Sequence, residues 1–282
     1  MASGGKSQLR VYLFGAPRFE RGGKSLSPGR RKVIALLAYL AVTRRPHNRD
    51  ALAALFWPDY DQSGARANLR RDISRARKAF GDEMLQVDGE QLSLNIDRLV
   101  WSDISEFERL LEKVHRHGHN LRADAPVLDE DCANDLTKAV ELFQGEFMAG
   151  FSLVDSAPFD DWQFFENEGL RQNLAEALQL LIHWHTRSGN FERAIDYARR
   201  WLHLDPLHEL AHRQLMKLYA WSGQQAAAMR QYDELVKTLK RELGVKPEEE
   251  TNELFAAIRA REIDIPGDTE LASPAPNSVI SL

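Results

Sequence analysis

Residues Gly64–Phe80 read GARANLRRDISRARKAF and combine an apolar stripe with a dense set of cations. At about 100° per residue, a helix places the stripe on one narrow face. The stripe consists of Ala65, Leu69, Ile73, Ala76 and Phe80. We assign Asn68, Arg71, Ser74, Arg75 and Lys78 to the opposite side, and Arg66, Arg70 and Arg77 to one flank. This layout suits a helix in a DNA major groove, while a solvated Arg-rich helix is the alternative for this stretch taken alone.

The segments that flank this helix predict a small sheet, two further helices and a β-hairpin. The predicted strands are Leu9–Phe14, Arg18–Arg21, Lys24–Leu26, Met84–Val87 and Gln91–Asn95, and the predicted helices are Arg30–Val42 and Arg49–Trp57. Asn48 is a good N-cap for the second helix, and Asp88-Gly89 marks a tight turn. The order predicts a winged helix-turn-helix in which the third helix reads the major groove and the hairpin forms the wing.

Charge is distributed unevenly along the chain. The first 97 residues hold 17 Lys and Arg against 10 Asp and Glu, a net charge of +7, whereas the rest hold 20 against 32, a net charge of −12. The overall net charge of −5 therefore hides a basic half that attracts phosphates. The chain has no run of 18 apolar residues, so we expect no membrane span and a cytoplasmic protein.

Three separated runs resemble the SARP/AfsR-like regulators. They are RRKVIALLAYLAVTRRPHNRDALAALFWPD at 30–59, ARANLRRDISRARKAFGD at 65–82 and DISEFERLL at 103–111. Members of this family join an OmpR-type winged helix to an all-helical bacterial transcriptional activator domain. The resemblance extends from about Leu9 to Ile263. It implies a transcriptional activator that binds double-stranded DNA, with two copies side by side on direct repeats.

The cations of the first half supply the predicted DNA contacts. We expect Asn68, Arg71, Ser74, Arg75 and Lys78 to reach base edges or nearby phosphates, and Arg66, Arg70, Arg77, Arg44 and Arg45 to clamp phosphates. Wings in such proteins commonly carry a cation, but Gln86–Gln91 contains two acids and no base. The helix and the backbone contacts should therefore carry more of the affinity than the wing.

The loop before the third helix has two interpretations. By resemblance to OmpR-type regulators, it implies a contact surface for RNA polymerase, formed by Trp57, Asp59, Tyr60 and Asp61. The alternative is a simple connector between two helices.

The second half contains a repeat of 34 residues. Ser188-Gly189 recurs as Ser222-Gly223, and the pairs Ala177/Ala211, Leu181/Leu215 and Ala194/Ala228 keep the same offset. This period is typical of tetratricopeptide repeats.

The predicted fold is mainly α with small β, namely an N-terminal winged helix-turn-helix followed by an all-α tetratricopeptide-like domain. The predicted domains are 9–97 and 98–263, with a disordered segment at 1–8 and a flexible tail or linker at 264–282.

One motif favours a different chemistry. His208-Glu209-Leu210-Ala211-His212 matches the H-E-x-x-H pattern of zinc hydrolases, although a helix inside a repeat explains the same residues structurally. His115–His119 is interpreted as a solvated polar loop rather than a metal site.

Seven aromatic residues of the second half either line a ligand groove or form part of the core, and their helical spacing favours the core. They are Trp162, Phe164, Phe165, Trp184, Trp201, Tyr219 and Trp221. We expect no enzyme activity, no cofactor and no metal.

A second function remains open from the sequence. The helical domain alone would serve as a protein-interaction module that binds a partner or a C-terminal regulatory domain. By resemblance, it would then form the N-terminal part of a larger signalling ATPase without DNA specificity of its own.

Overall fold

The computed structural model describes residues 8–95, 99–117 and 128–264, which form two compact units. The first unit holds the described residues up to His117 together with Thr137–Leu174, and the second holds the remaining described residues. The fold is mainly helical with two small sheets, which confirms the predicted fold class. The predicted boundary at residues 97 and 98 lies outside the described residues and stays a prediction.

The secondary structure follows the predicted order. The strands are β1 (Leu9–Tyr12), β2 (Arg18–Arg21), β3 (Lys24–Leu26), β4 (His47–Asn48), β5 (Leu85–Asp88), β6 (Gln91–Leu94) and β7 (Val100–Ser102). The helices are α1 (Arg31–Thr43), α2 (Arg49–Phe56), α3 (Gln62–Phe80), α4 (Asp103–Arg116), α5 (Glu130–Leu142), α6 (Ala157–Arg187), α7 (Phe191–Leu204), α8 (Glu209–Trp221), α9 (Gln225–Glu242) and α10 (Glu249–Ala260). Within the described ranges, every helix is too short or too polar to cross a lipid bilayer.

The N-terminal sheet gains a strand that the sequence did not indicate. Its order is β3-β2-β1-β7, and β7 runs parallel to β1 with Leu9 opposite Val100. A strand of three residues is too short to show a period of two, so the sequence pattern does not predict β7. Asp103, directly after β7, accepts hydrogen bonds from the backbone N–H groups of Leu13 at 2.9 Å and Phe14 at 3.0 Å. These bonds fix the end of β1 against the start of α4.

The winged helix-turn-helix consists of α1, α2 and α3 with a second sheet of order β4-β6-β5. Asn48 caps α2 by accepting from the backbone N–H of Asp50 at 2.7 Å, as predicted. Helix α3 begins two residues before the predicted start, because Asp61 caps it by accepting from the N–H of Gly64 at 2.9 Å. The wing turn has a positive φ of 56° at Gly89 and none at Glu90, which is the type II′ pattern.

Residues 143–174 complete the core of the first unit. Phe14 forms an antiparallel bridge with Phe147, and the ring of Phe159 packs against Phe56 with centroids 5.5 Å apart. Ser156 Oγ donates to the carbonyl of Leu55 at 2.7 Å. The beginning of α6 therefore packs directly against α2 of the helix-turn-helix.

The second unit shows the 34-residue repeat in its backbone geometry. Gly189 and Gly223 have positive φ of 68° and 76°. The next residues close equivalent turns: the N–H of Asn190 donates to His185 O at 2.8 Å, and that of Gln224 donates to Tyr219 O at 2.7 Å. All six residues of the three small or aliphatic repeat pairs are buried. The tetratricopeptide-like character of this unit follows from the matched turns and the matched core positions.

Candidate nucleic-acid interface

Helix α3 separates its two faces as the sequence predicts, with a few exceptions. The apolar stripe is buried, from Ala65 to Phe80. After the first turn, the exposed side chains of α3 are Arg70, Arg71, Ser74, Arg75 and Lys78. Their spacing of one, three or four residues places them along one side of the helix over more than two turns. This side presents four cations and a hydroxyl to solvent.

A groove of about 750 Å³ lies beside this face and runs between α3, the start of α2 and the wing strand β5. Its lining includes Arg49, Arg70, Ser74, Arg77, Lys78 and Val87. Sequence reasoning missed Arg49, because the first residue of a short helix carries no periodic signal. The one available clue is its position directly after the N-cap Asn48, at the helix end that favours anions.

Two cations of this groove are free to bind an anion. Arg70 and Lys78 form no ion pair with any residue that the structure describes. The backbone N–H of Arg49 donates to Glu90 O at 2.8 Å, so its position is fixed by the wing. Among the residues that the structure describes, no carboxylate neutralises these three side chains by direct contact.

Arg66, by contrast, is engaged within the protein. Its Nη2 donates to Asp50 Oδ2 at 2.6 Å and lies 3.2 Å from Glu90 Oε2 in the wing. The hydrogen bond with Arg66 lowers the pKa of Asp50, and the same bond raises the pKa of Arg66. The structure thus gives the acidic wing a role, because Glu90 faces a cation of α3. Arg66 is therefore already paired within the protein, and its predicted phosphate contact stays a prediction.

Two arginines of the exposed face are held by neighbours on their own helix. Arg71 Nη2 donates to Asn68 Oδ1 at 2.8 Å, and Arg75 Nη1 donates to Asp72 Oδ1 at 2.7 Å. Asp72 is fully buried and also accepts from Arg30 Nη1 at 3.1 Å. Such contacts restrict the guanidinium positions before any ligand binds, which lowers the entropic cost of binding.

Asn68 itself does not lie on the exposed face. Its exposed fraction is 7%, because it lies three residues after Ala65 and four before Asp72 along the buried side. Our placement of Asn68 opposite the apolar stripe is therefore wrong. In the structure it supports Arg71 rather than facing solvent.

The predicted phosphate-clamping residues outside the exposed face differ in availability. Arg77 is half-buried, and its Nη2 lies 3.4 Å from Leu85 O. Arg44 Nη2 pairs with Glu108 Oε2 at 2.8 Å, so its charge is already paired within the protein. Its predicted phosphate contact stays a prediction. Arg45 is exposed and forms no ion pair within the described residues.

The loop before α3 presents only part of the surface predicted for a partner. Tyr60 is 57% exposed, and Asp59 and Asp61 are exposed. Trp57 is buried with 2% exposure, and the ammonium group of Lys32 lies 5.0 Å from its ring centroid. The expectation that Trp57 contacts a partner is corrected, because this ring belongs to the core.

The H-E-x-x-H motif is occupied by structural contacts. Both ring nitrogens of His212 have partners, at 3.0 Å from Pro206 O and 2.8 Å from Gln231 Nε2. Glu209 accepts from the N–H of Glu248 at 3.0 Å and from Thr251 Oγ1 at 2.7 Å, which caps α10. Among the described residues, no three His, Cys, Asp or Glu side chains are grouped to hold a metal ion. His119 of the other histidine cluster lies outside the described residues.

Comparisons with known proteins agree on one family. The model of the family described as "Bacterial transcriptional activator domain" matches residues 102–259, more than half of the chain. Regulatory protein AfsR of Streptomyces griseus is 29% identical over 273 residues, which cover 95% of this chain and 26% of that protein. The chain thus spans about a quarter of the length of this relative.

A solved structure shares the fold. It is that of Mycobacterium tuberculosis EmbR in complex with low affinity phosphopeptide, with a TM-score of 0.67 at 22% identity. The match covers 91% of this chain and 66% of that chain. At this identity, the likeness concerns the fold alone.

Proposed function

Because this chain belongs to the bacterial transcriptional activator domain family, and with it to the SARP-type transcriptional regulators, we propose that it binds promoter DNA sequence-specifically and activates transcription. The observation that carries the DNA contact is the exposed side of α3 from Arg70 to Lys78, with its adjoining cationic groove. A helix of this kind fits the major groove, which is about 12 Å wide.

The side chains on this face divide into two proposed roles. Arg71, Ser74 and Arg75 read base edges, because their positions are fixed by the helix and, for the arginines, by a second side chain. Arg70 and Lys78, together with Arg49, hold phosphates, since no acid in the described ranges pairs with Arg70 or Lys78. Base contacts then provide specificity, and phosphate contacts provide orientation and affinity.

A second surface of the same unit is proposed to contact RNA polymerase. Tyr60 is a large exposed aromatic between two exposed acids, Asp59 and Asp61. The loop immediately precedes the proposed reading helix, so a protein bound at an adjacent DNA site can reach it. We further propose that two copies bind side by side on direct repeats.

Selection of bound duplexes from a random pool tests the proposal. The wild type should enrich one sequence motif, and half-site spacing in that motif reports the number of bound copies. Arg71→Ala should relax preference at one base position, because a bidentate Arg–guanine contact is worth about 1–3 kcal/mol of discrimination. The matched control is Arg116→Ala, which removes one exposed cation of α4 and should leave the motif unchanged.

The result also separates this proposal from the interaction module. Absence of an enriched motif, together with no salt-sensitive DNA binding at micromolar protein, would leave the chain as a protein-binding scaffold. An enriched motif that Arg71→Ala and Arg116→Ala both leave unchanged would reject the assigned reading face but not DNA binding.

A further inference from the structure

The second unit contains a pocket of about 350 Å³ between the last three turns of α6 and helix α8, with Trp201 of α7 in its wall. Residues at positions 179, 182, 183, 186 and 187 of α6 line one side. Positions 210, 214, 217 and 221 of α8 line the other side. Both sets recur every three or four residues, so each helix turns one continuous face toward the pocket. The volume falls within the range of about 300–1,000 Å³ that is typical of small-molecule sites.

The pocket is positively charged within an acidic part of the chain. Its charged lining residues are Arg187 and Lys217, and no carboxylate belongs to the lining. Neither cation forms an ion pair within the part of the chain that the structure describes. Residues 98–282 nevertheless carry a net charge of −12. Lys217 is half-buried and has no counter-ion among the described residues, so its charge is available to an anion from outside the chain.

A buried imidazole adds a second unsatisfied group. Nε2 of His183 is buried in the pocket wall and has no hydrogen-bond partner. Burial lowers the pKa of His183, and the nearby charge of Arg187 lowers it further, so the ring is neutral at pH 7. An unpaired buried polar atom destabilises the folded state, and a hydrogen bond from a ligand atom can offset that cost.

The rest of the lining combines partly accessible apolar surface with three uncharged polar side chains. Leu210 is 39% exposed, and Trp221 is half-buried with its Nε1 donating to Asp264 O at 2.8 Å. That hydrogen bond satisfies the only polar atom of the indole side chain, and the centroid of the Phe191 ring lies 6.4 Å from that of the indole, so Trp221 contributes apolar surface to the wall. Gln214 adds an amide between Leu210 and Lys217 on the α8 face.

We propose that this pocket binds a small organic anion with a planar ring, whose acidic group pairs with Arg187 and Lys217 and whose ring packs against Trp221. Two cations fit a carboxylate, sulfonate or phosphate, and the apolar wall excludes a free inorganic ion as the best ligand. The site goes beyond DNA binding, since it gives the helical unit a ligand of its own.

Two fluorescent probes test the charge requirement with the full chain. Anilinonaphthalene sulfonate is a planar anion, and N-phenylnaphthylamine is its uncharged counterpart. The wild type should bind the sulfonate saturably at one site, and Arg187→Met with Lys217→Met should weaken this binding at least tenfold. Binding of the neutral probe should change less than twofold, because the apolar wall is intact.

Lys237→Met is the matched control, since Lys237 is an exposed cation of α9 outside the pocket. It should leave the affinity for the sulfonate unchanged, and circular dichroism melts should show that all variants fold. Equal weakening by Lys237→Met, or unchanged affinity in the double variant, would overturn the proposal.

A competition experiment identifies the kind of occupant. Indole acetate, a small aromatic carboxylate, should displace the bound sulfonate. Displacement by an acidic peptide but not by indole acetate would mean that the pocket docks a protein segment, and the proposal would be wrong.

Discussion

The salt dependence of DNA binding should distinguish the free cations of the groove from the paired ones. We compare a triple variant, Arg49→Ala with Arg70→Ala and Lys78→Ala, against the single variant Arg66→Ala. Within the described part of the chain, Arg49, Arg70 and Lys78 form no ion pair, whereas Arg66 contacts both Asp50 and Glu90. The three cations of the triple variant can neutralise DNA phosphates, and so release counterions, without first leaving a protein carboxylate. Arg66 would first have to leave Asp50 and Glu90.

The expected magnitude follows from counterion release. Each neutralised phosphate contributes about 0.9 to the slope of log K against log salt concentration for B-DNA. If all three free cations meet phosphates, the triple variant should reduce the slope by about 2.7. Arg66→Ala should change the slope by close to zero, because its charge is already balanced within the protein.

Fluorescence anisotropy with one labelled duplex at several salt concentrations measures both slopes. Arg116→Ala controls for net charge, because Arg116 pairs with Glu112 on the exposed surface of α4 and lies outside the groove. Thermal melts must show that each variant is folded at the assay temperature. This control matters most for Arg66→Ala, because it leaves Asp50 without its arginine.

Two results would refute this reasoning. The first is an unchanged slope in the triple variant, which would remove the groove from the DNA contact. The second is a fall of about one unit for Arg66→Ala, which would mean that DNA displaces Asp50 and Glu90 from this side chain.

Three further variants address the wing, the core and the helical unit. Glu90→Gln should raise DNA affinity about two- to fivefold at low salt, because it removes a carboxylate near Arg66; anisotropy showing weaker binding would contradict this. Asp103→Ala should lower the free energy of unfolding by about 3 kcal/mol or more, since three buried N–H groups lose their acceptor; urea denaturation with a smaller loss would contradict it. Burial lowers the pKa of His212 below 6.5, so the folded state binds fewer protons than the unfolded state and its stability falls as the pH drops below 6.5. The melting temperature should therefore fall less between about pH 7.5 and 5.5 in His212→Gln than in the wild type, and an equal fall would disprove the assignment.

Periodicity predicts the parts of this fold in which local sequence decides the outcome. The stripe of α3, the cap at Asn48 and the 34-residue repeat all depend on spacing within one or two elements, and the structure confirms them. The same reasoning applied carefully to α3 also brings Asp72 within the stripe, at 0% exposure. The sequence does not indicate burial of this charged residue, because the partner that permits it, Arg30, lies 42 residues away in sequence.

The missed features depend on contacts distant in sequence. Trp57 has the position of a surface loop residue, but Lys32 covers its ring. Residues 100–102 form a strand only because β1 lies beside them. Phe164 and Phe165 have the helical spacing expected of core residues and are 61% and 71% exposed. A hydrophobic period alone does not show which helix face finds a neighbour.

The start of α1 shows why the proposed reading helix depends on residues far beyond the winged helix. Arg30 Nη1 pairs with Asp72 of α3 at 3.1 Å. The next residue, Arg31, donates from Nη2 to Ser152 O at 2.8 Å, and Lys32 Nζ pairs with Asp155 Oδ2 at 2.8 Å.

These three consecutive cations therefore connect the proposed reading helix to residues 152–155, which lie inside the stretch that matches the activator-domain model. The same model begins at residue 102, the last residue of a strand that the N-terminal sheet requires. The border between the two family modules thus passes through one hydrogen-bonded sheet and one buried core. It follows that the first half of the activator domain helps to hold α3 in place and is not merely attached to a separate DNA-binding module.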